Sequence, residues 1–300
     1  MATAEKINYC GWENCVKISG GDTEVIVTTD VGPRIISYSF CGKENHLKVF
    51  DDTAGKTGGD AWIPYGGHRV WHAPEQKPRT YQPDNVACIC EIKDGGVTVM
   101  SREEETGLSK GMEVSVSDGG VVTINNIIKN DTMFDIELSI WGITQFCGGG
   151  MLAVPNSRLD TGLIANRAVA MWPYSKMNDR RVYFGDKYIT VVPDGRDTPP
   201  FKFGYTVDEG YACYFNHGQL VAKKFEYFYD VEYPNFSCNF ESYTNKEFIE
   251  IETLTPLFTL EAGEVSVHTE HWAAIDGVKC PERTDEKAIE RHCREILKKF

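Results

Sequence analysis

A period of two dominates the pattern of apolar and polar positions along this chain. TEVIVTT (23–29), RIISYSF (34–40), VACICEI (86–92), GVTVMSR (96–102), GMEVSVS (111–117), VVTINNIIKN (121–130) and FDIELSIWGITQF (134–146) are rich in β-branched or aromatic residues. The same holds for RVYFG (181–185), YITVVP (188–193), YACYFN (211–216), LVAKKFEYF (220–228), EFIEIETL (247–254) and EVSVHTEHW (264–272). Turn sequences such as SDGG, KDGG and PDG separate most of them, and such spacing predicts strands. Many short strands with almost no helical period predict an all-β chain, a large antiparallel β-sandwich. No internal repeat or low-complexity linker divides it, so residues 1–300 are expected to form a single domain. One short C-terminal helix is expected over about 284–299. Thr284 is placed to cap it, and Ile289, Cys293, Ile296 and Phe300 recur at helical spacing.

Two long segments interrupt the strand pattern, residues 55–85 and 153–181. Both carry Trp, Tyr, His and Arg between turn residues. Loops of that length in a compact domain are functional or disordered, and aromatic-rich ones bury too much surface to be disordered.

Composition narrows the partners. A chain with 41% hydrophobic and 12% aromatic residues can bury a sizeable core. Its net charge of −13 opposes nucleic-acid and anionic-membrane surfaces, whose phosphates select basic patches. The first fifteen residues show no apolar core of signal-peptide type, and no run is long enough to span a bilayer. The ten cysteines are scattered without a zinc-site or disulfide pattern. A cytoplasmic location with reduced thiols is therefore expected.

Chemistry concentrates in three places. GGHRVWHAPE (66–75) brings His68, Arg69, Trp71, His72 and Glu75 together between glycines and a proline. Such a segment suits a sugar-pocket wall, with Trp71 stacking on a pyranose face, Arg69 donating to oxygens and a histidine titrating near neutrality. A surface loop with one core-filling Trp is the alternative. FIEIETLTPL (248–257) puts Glu250 and Glu252 on one strand face, about 6.5–7 Å apart along the chain. If dry, two such carboxylates couple and one holds its proton more tightly; Glu241 lies just upstream. In VSVHTEHW (265–272), His268 and Glu270 share a face, a weak pattern for a metal completed by His68 or His72. The loop MWPYSKMNDRR adds Trp172, Tyr174, Asp179, Arg180 and Arg181 as a second wall or an edge cap.

VTTDVGPRIISYSFCGKEN near the start resembles the opening of galactose mutarotase-like (aldose 1-epimerase-like) proteins. IEIETLTPL, followed by LEAGE and HTEHW, is similar to their C-terminal region. Over residues 20–275 this resemblance implies the β-supersandwich of that superfamily, with a sugar cleft on one concave face. It implies Glu252 as catalytic base and Arg69 as the sugar-contacting arginine. It also implies a histidine acid on a strand matching ELSIWGITQF, where this chain has Trp141 and Gly142 instead. The acid then falls to His68, His72 or His268, and Trp71, Trp141, Trp172, Glu241 and Glu250 are expected around the substrate. The expected ligand is a small-molecule carbohydrate, with neither cofactor nor metal, undergoing acid/base interconversion at its anomeric centre. Two other classes fit the same residues: a non-catalytic sugar-binding or sensing module, and metal-assisted isomerisation or elimination through His68, His72, His268 and Glu270.

Overall fold

Strands buried on both faces organise the molecule, and the computed structural model describes residues 1–196 and 199–300 of it. Among the described residues, two antiparallel sheets of eleven and ten strands face each other. The first runs in the order Thr3–Tyr9, Trp12–Gly20, Thr23–Thr28, Arg34–Phe40, His68–Ala73, Ile136–Cys147, Phe248–Leu254, Phe240–Thr244, Phe201–Tyr205 and Val169–Met171, with Phe258–Leu260 paired to Ile136–Cys147. The second runs Val182–Phe184, Tyr188–Val191, Met151–Pro155, Tyr211–Asn216, Gln219–Phe225, Val265–Asp276, Val122–Asn130, Leu108–Val116, Gly96–Glu103 and Ile89–Lys93. This is the all-β sandwich expected from the alternating pattern.

Period two explains the core. Val122, Ile124 and Ile128 point inward from one sheet, and Val70, Ile140, Phe146, Ile249 and Ile251 point inward from the other, all in one apolar cluster. Phe248–Leu254 is buried at every position. Its odd-numbered isoleucines enter the core, so its glutamates must lie on the opposite face. That opposite face of the first sheet is the floor of a cleft.

Two expectations shift. The segment 55–85, read as a loop, contains the strand His68–Ala73, buried throughout and hydrogen-bonded between Arg34–Phe40 and Ile136–Cys147. The C-terminal helix spans Glu286–Ile296 and ends in a 3₁₀ turn, Leu297–Lys299. Its cap is Asp285 and not Thr284: the Asp285 carboxylate accepts from the Ala288 N–H at 3.1 Å. Ile289, Cys293 and Ile296 seat the helix on the second sheet. All ten cysteines are free. Among the described residues, no helix is long and apolar enough to cross a membrane.

Candidate active site

Register across four neighbouring strands builds the cleft floor. Arg69 lies opposite Ile143, Ile143 opposite Glu252, and Glu252 opposite Glu241. One step along, Gln145 lies opposite Glu250, and on the outer strands Lys202 lies opposite Tyr243. Side chains directly opposite share a face, so these residues converge although the chain separates them widely. The cavity above them has a volume of about 450 Å³ and is walled by Trp62, Trp71, Tyr81, Trp141, Tyr174 and Tyr243. Trp71 anchors that wall edge-to-face, with ring centroids 5.0 Å from Tyr81, 5.5 Å from Trp62 and 5.8 Å from Trp141.

The charges on the floor form two groups. The Arg69 guanidinium lies over Trp71 at 4.4 Å and pairs with Glu250 at 3.4 Å, and burial lowers its pKa. Gln145 donates to the same Glu250 oxygen at 2.9 Å. The Lys202 ammonium sits 4.8 Å from each of the Trp141 and Trp172 rings. It contacts Glu241 at 2.7 Å and Glu252 at 2.9 Å. Burial opposes its charge, yet Glu252, Glu241 and Glu250 together hold its pKa above the usual lysine value. Asn235 donates to the other Glu241 oxygen at 2.6 Å.

Glu250 and Glu252 are not equivalent. Glu250 lines the cavity; Glu252 is fully buried behind Trp141 and Lys202, and both donate to its Oε2 at 2.9 Å. Its Oε1 has no hydrogen-bond partner. Burial, with Glu250 and Glu241 adding to it and Lys202 opposing, pushes the Glu252 pKa up to about 8. When the carboxyl carries a proton, its unpartnered Oε1 is the oxygen free to hold it. Three residues lining the cavity also have buried atoms without partners: the Arg69 Nε and Trp62 Nε1 donors, and the Gln145 Oε1 acceptor.

No protein-family model matches the chain, and no curated protein matches it in sequence. Solved structures do. A galactose mutarotase-like protein from Lactobacillus casei superposes with a TM-score of 0.57 at 11% identity, covering 87% of this chain and 100% of that one. The YeaD protein of Salmonella typhimurium, a suggested mutarotase, gives 0.60 at 12% identity over 91% of this chain and 94% of that one. A TPR-domain containing protein from Parabacteroides distasonis gives 0.59 at 15% identity over 91% of this chain; the match spans half the length of that larger protein. The fold is galactose mutarotase-like.

Within this mutarotase-like fold, the histidines considered as acids lie on the wrong side of the sheet for a cleft. His68 bonds Thr144 at 2.8 Å and Asn126 at 2.9 Å, and His268 bonds Thr253 at 2.8 Å, all between the two sheets. Burial lowers both to about 4, so both are neutral. His72 is buried beside Lys110 and Arg79, has no hydrogen-bond partner, and is lowered to about 2 by burial first and by those cations second. Strand parity is the reason: Arg69 and Trp71 face the cleft, so His68 and His72 face the core. Glu270, matched with His268 as a weak metal pattern, pairs instead with Lys223 at 3.2 Å and accepts from Trp272 at 2.8 Å. Burial works against its charge, but Lys223 and its other neighbours hold it down at about 2. Among the described residues, no three or more His, Cys, Asp or Glu side chains gather as a metal set. Trp172 backs Lys202 and does not form the cavity wall.

The same parity explains Trp141-Gly142. Trp141 faces the cleft, and Gly142 faces the buried polar layer. A Cβ at 142 would lie 2.5 Å from Glu270 Oε1, 3.2 Å from Thr253 Oγ1 and 3.3 Å from Asn126 Nδ2. Gly142→Ala is expected to cost about 1–3 kcal/mol through forced displacement of this layer. Urea unfolding measures it, and an unchanged midpoint would show that the layer yields freely.

Sequence reasoning missed Lys202, Gln145, Trp62, Tyr81 and Tyr243. For Lys202 a signal existed. In FKFGY a lysine alternates with two phenylalanines, which places it on the face away from their core.

Proposed function

We propose that this cleft binds a sugar or sugar derivative and interconverts its anomers by acid/base proton transfer. The observation that carries the reading is the mixed set of unmet groups lining an aromatic cavity: two donors, Arg69 Nε and Trp62 Nε1, and one acceptor, Gln145 Oε1, with the unpartnered Glu252 Oε1 buried beneath its floor. Buried polar atoms are nearly always partnered, so such a set calls for a ligand that both donates and accepts. Saccharide hydroxyls do both, and the apolar faces of a pyranose suit the Trp71 and Tyr81 rings. The mutarotase-like fold supports the same class.

In this reading the two glutamates divide the chemistry. Glu252, whose pKa burial raises to about 8, supplies the proton to the ring oxygen once the bound sugar displaces Trp141 and Lys202 from over it. Glu250, ion-paired and open to the cavity, takes the proton of the anomeric hydroxyl. The C1–O5 bond then breaks, the C1 hydroxyl becomes the aldehyde, and rotation about C1–C2 exposes its other face. Reclosure returns both protons. Glu252, assigned as base by resemblance, thereby fills the place left without a histidine acid. Saturation-transfer NMR on a panel of free aldoses tests the proposal, with faster exchange than the uncatalysed background as the expected result.

Non-catalytic binding is the second reading, favoured by the cover that Trp141 and Lys202 place over Glu252. Calorimetric binding of an aldose without accelerated exchange would select it and overturn catalysis.

A further inference from the structure

Four arginines, Arg69, Arg79, Arg180 and Arg181, raise the question of an anionic substrate, since together they would suit a phosphate or carboxylate. The structure disperses them. Arg180 pairs with Asp194 at 3.2 Å and Arg181 with Asp179 at 2.7 Å, and both arginines line a neighbouring depression that meets the aromatic cavity at Tyr174. Arg79 donates to the Pro74 carbonyl at 3.2 Å. Of the four, only Arg69 lines the cavity, and Glu250 already neutralises it. Lys202, which also lines the cavity, lies between Glu241 and Glu252. Two cations thus face the three glutamates of the floor; Glu250 and Glu241 alone match them, and no positive charge is left over.

We infer that the cleft selects uncharged saccharides and rejects their phosphorylated and carboxylated forms. This rests on the sugar-binding reading above and names its substrate class. An anionic group entering the floor would lose its hydration without gaining a counter-charge, and would lie against carboxylates. To pair with Arg69 it would have to displace Glu250, leaving that carboxylate buried and alone. The rim does not reverse the balance. Glu75 and Glu247 stand there with Lys77 over Tyr81, Lys48 over Phe50 and Lys246 at 3.8 Å from Glu247, partly or fully open to solvent and screened by salt.

Calorimetric titration of the full chain with matched sets tests this: glucose, glucose 6-phosphate and glucuronate, then galactose, galactose 6-phosphate and galacturonate. The neutral member is expected to bind, and its anionic partners about tenfold more weakly or worse, as like-charge juxtaposition demands. Glu250→Gln frees Arg69 of its counter-charge, so the anionic-to-neutral affinity ratio is expected to rise about tenfold. Anionic forms binding as tightly as neutral ones, or a ratio indifferent to Glu250→Gln, would overturn the inference and leave sugar binding standing. If no member of either set binds, the sugar-binding reading fails and this one with it.

Discussion

Glu252→Gln is expected to slow anomer exchange by about 10²–10⁴-fold while sugar affinity stays within a few-fold. Glutamine retains the shape of the side chain and a carbonyl oxygen to accept from Trp141 and Lys202, but it cannot pass a proton. Position and binding therefore survive while the acid is lost, and saturation-transfer NMR beside calorimetry separates the two. The pH profile decides the direction of proton transfer. With Glu252 as acid, kcat/KM falls above about pH 8, where the carboxyl ionises; with Glu252 as base it would rise through that same range. A second readout comes from stability. The folded state keeps this proton up to about pH 8, whereas an unfolded glutamate releases it near 4.5. Between these values the folded state binds more protons than the unfolded one, so the Glu252 contribution is full below 4.5 and is lost as pH rises through 8. Glu252→Gln, which is uncharged at every pH, should flatten that slope. An unchanged slope would remove Glu252 as the titrating group.

How far the sequence foretold this site depends on what each strand faces. FIEIETL was legible because its isoleucines enter an apolar core and its glutamates do not, so alternation survives burial on both faces. HRVWHA was not: its inward residues are His68, Val70 and His72, and the first of these is accommodated by Thr144 and Asn126 from distant strands. With polar residues on both faces the period of two disappears, and a central strand reads as a loop. Parity was lost with it, and parity decides that Arg69 and Trp71 reach the cleft while the histidines do not. Thr3–Tyr9, rich in exposed polar residues at the sheet edge, lacks an apolar face; Trp12–Gly20 was missed although Val16 and Ile18 enter the core. The sandwich emerged from local pattern alone. The pairing of Lys202 with Glu241 and Glu252 did not, since register between strands far apart in the chain sets it.

Lys202→Met is expected to destabilise the fold by about 3–5 kcal/mol, the cost of removing one partner from a buried charge cluster. Methionine nearly preserves the volume between Trp141 and Trp172, so packing contributes little and the loss is electrostatic. What remains is Glu241, fully buried and held only by Asn235, beside a Glu252 that has lost one of its two donors. If the uncompensated carboxylate is the cause, Lys202→Met/Glu241→Gln should recover most of the lost stability, because the double variant removes both members of the ion pair. The coupling is then read directly from the four unfolding free energies in urea. Additive losses in the double variant would mean that Lys202 acts through packing against the two indoles. Recovery would instead fix Lys202 as the group that lets Glu241, Glu250 and Glu252 share one cleft floor.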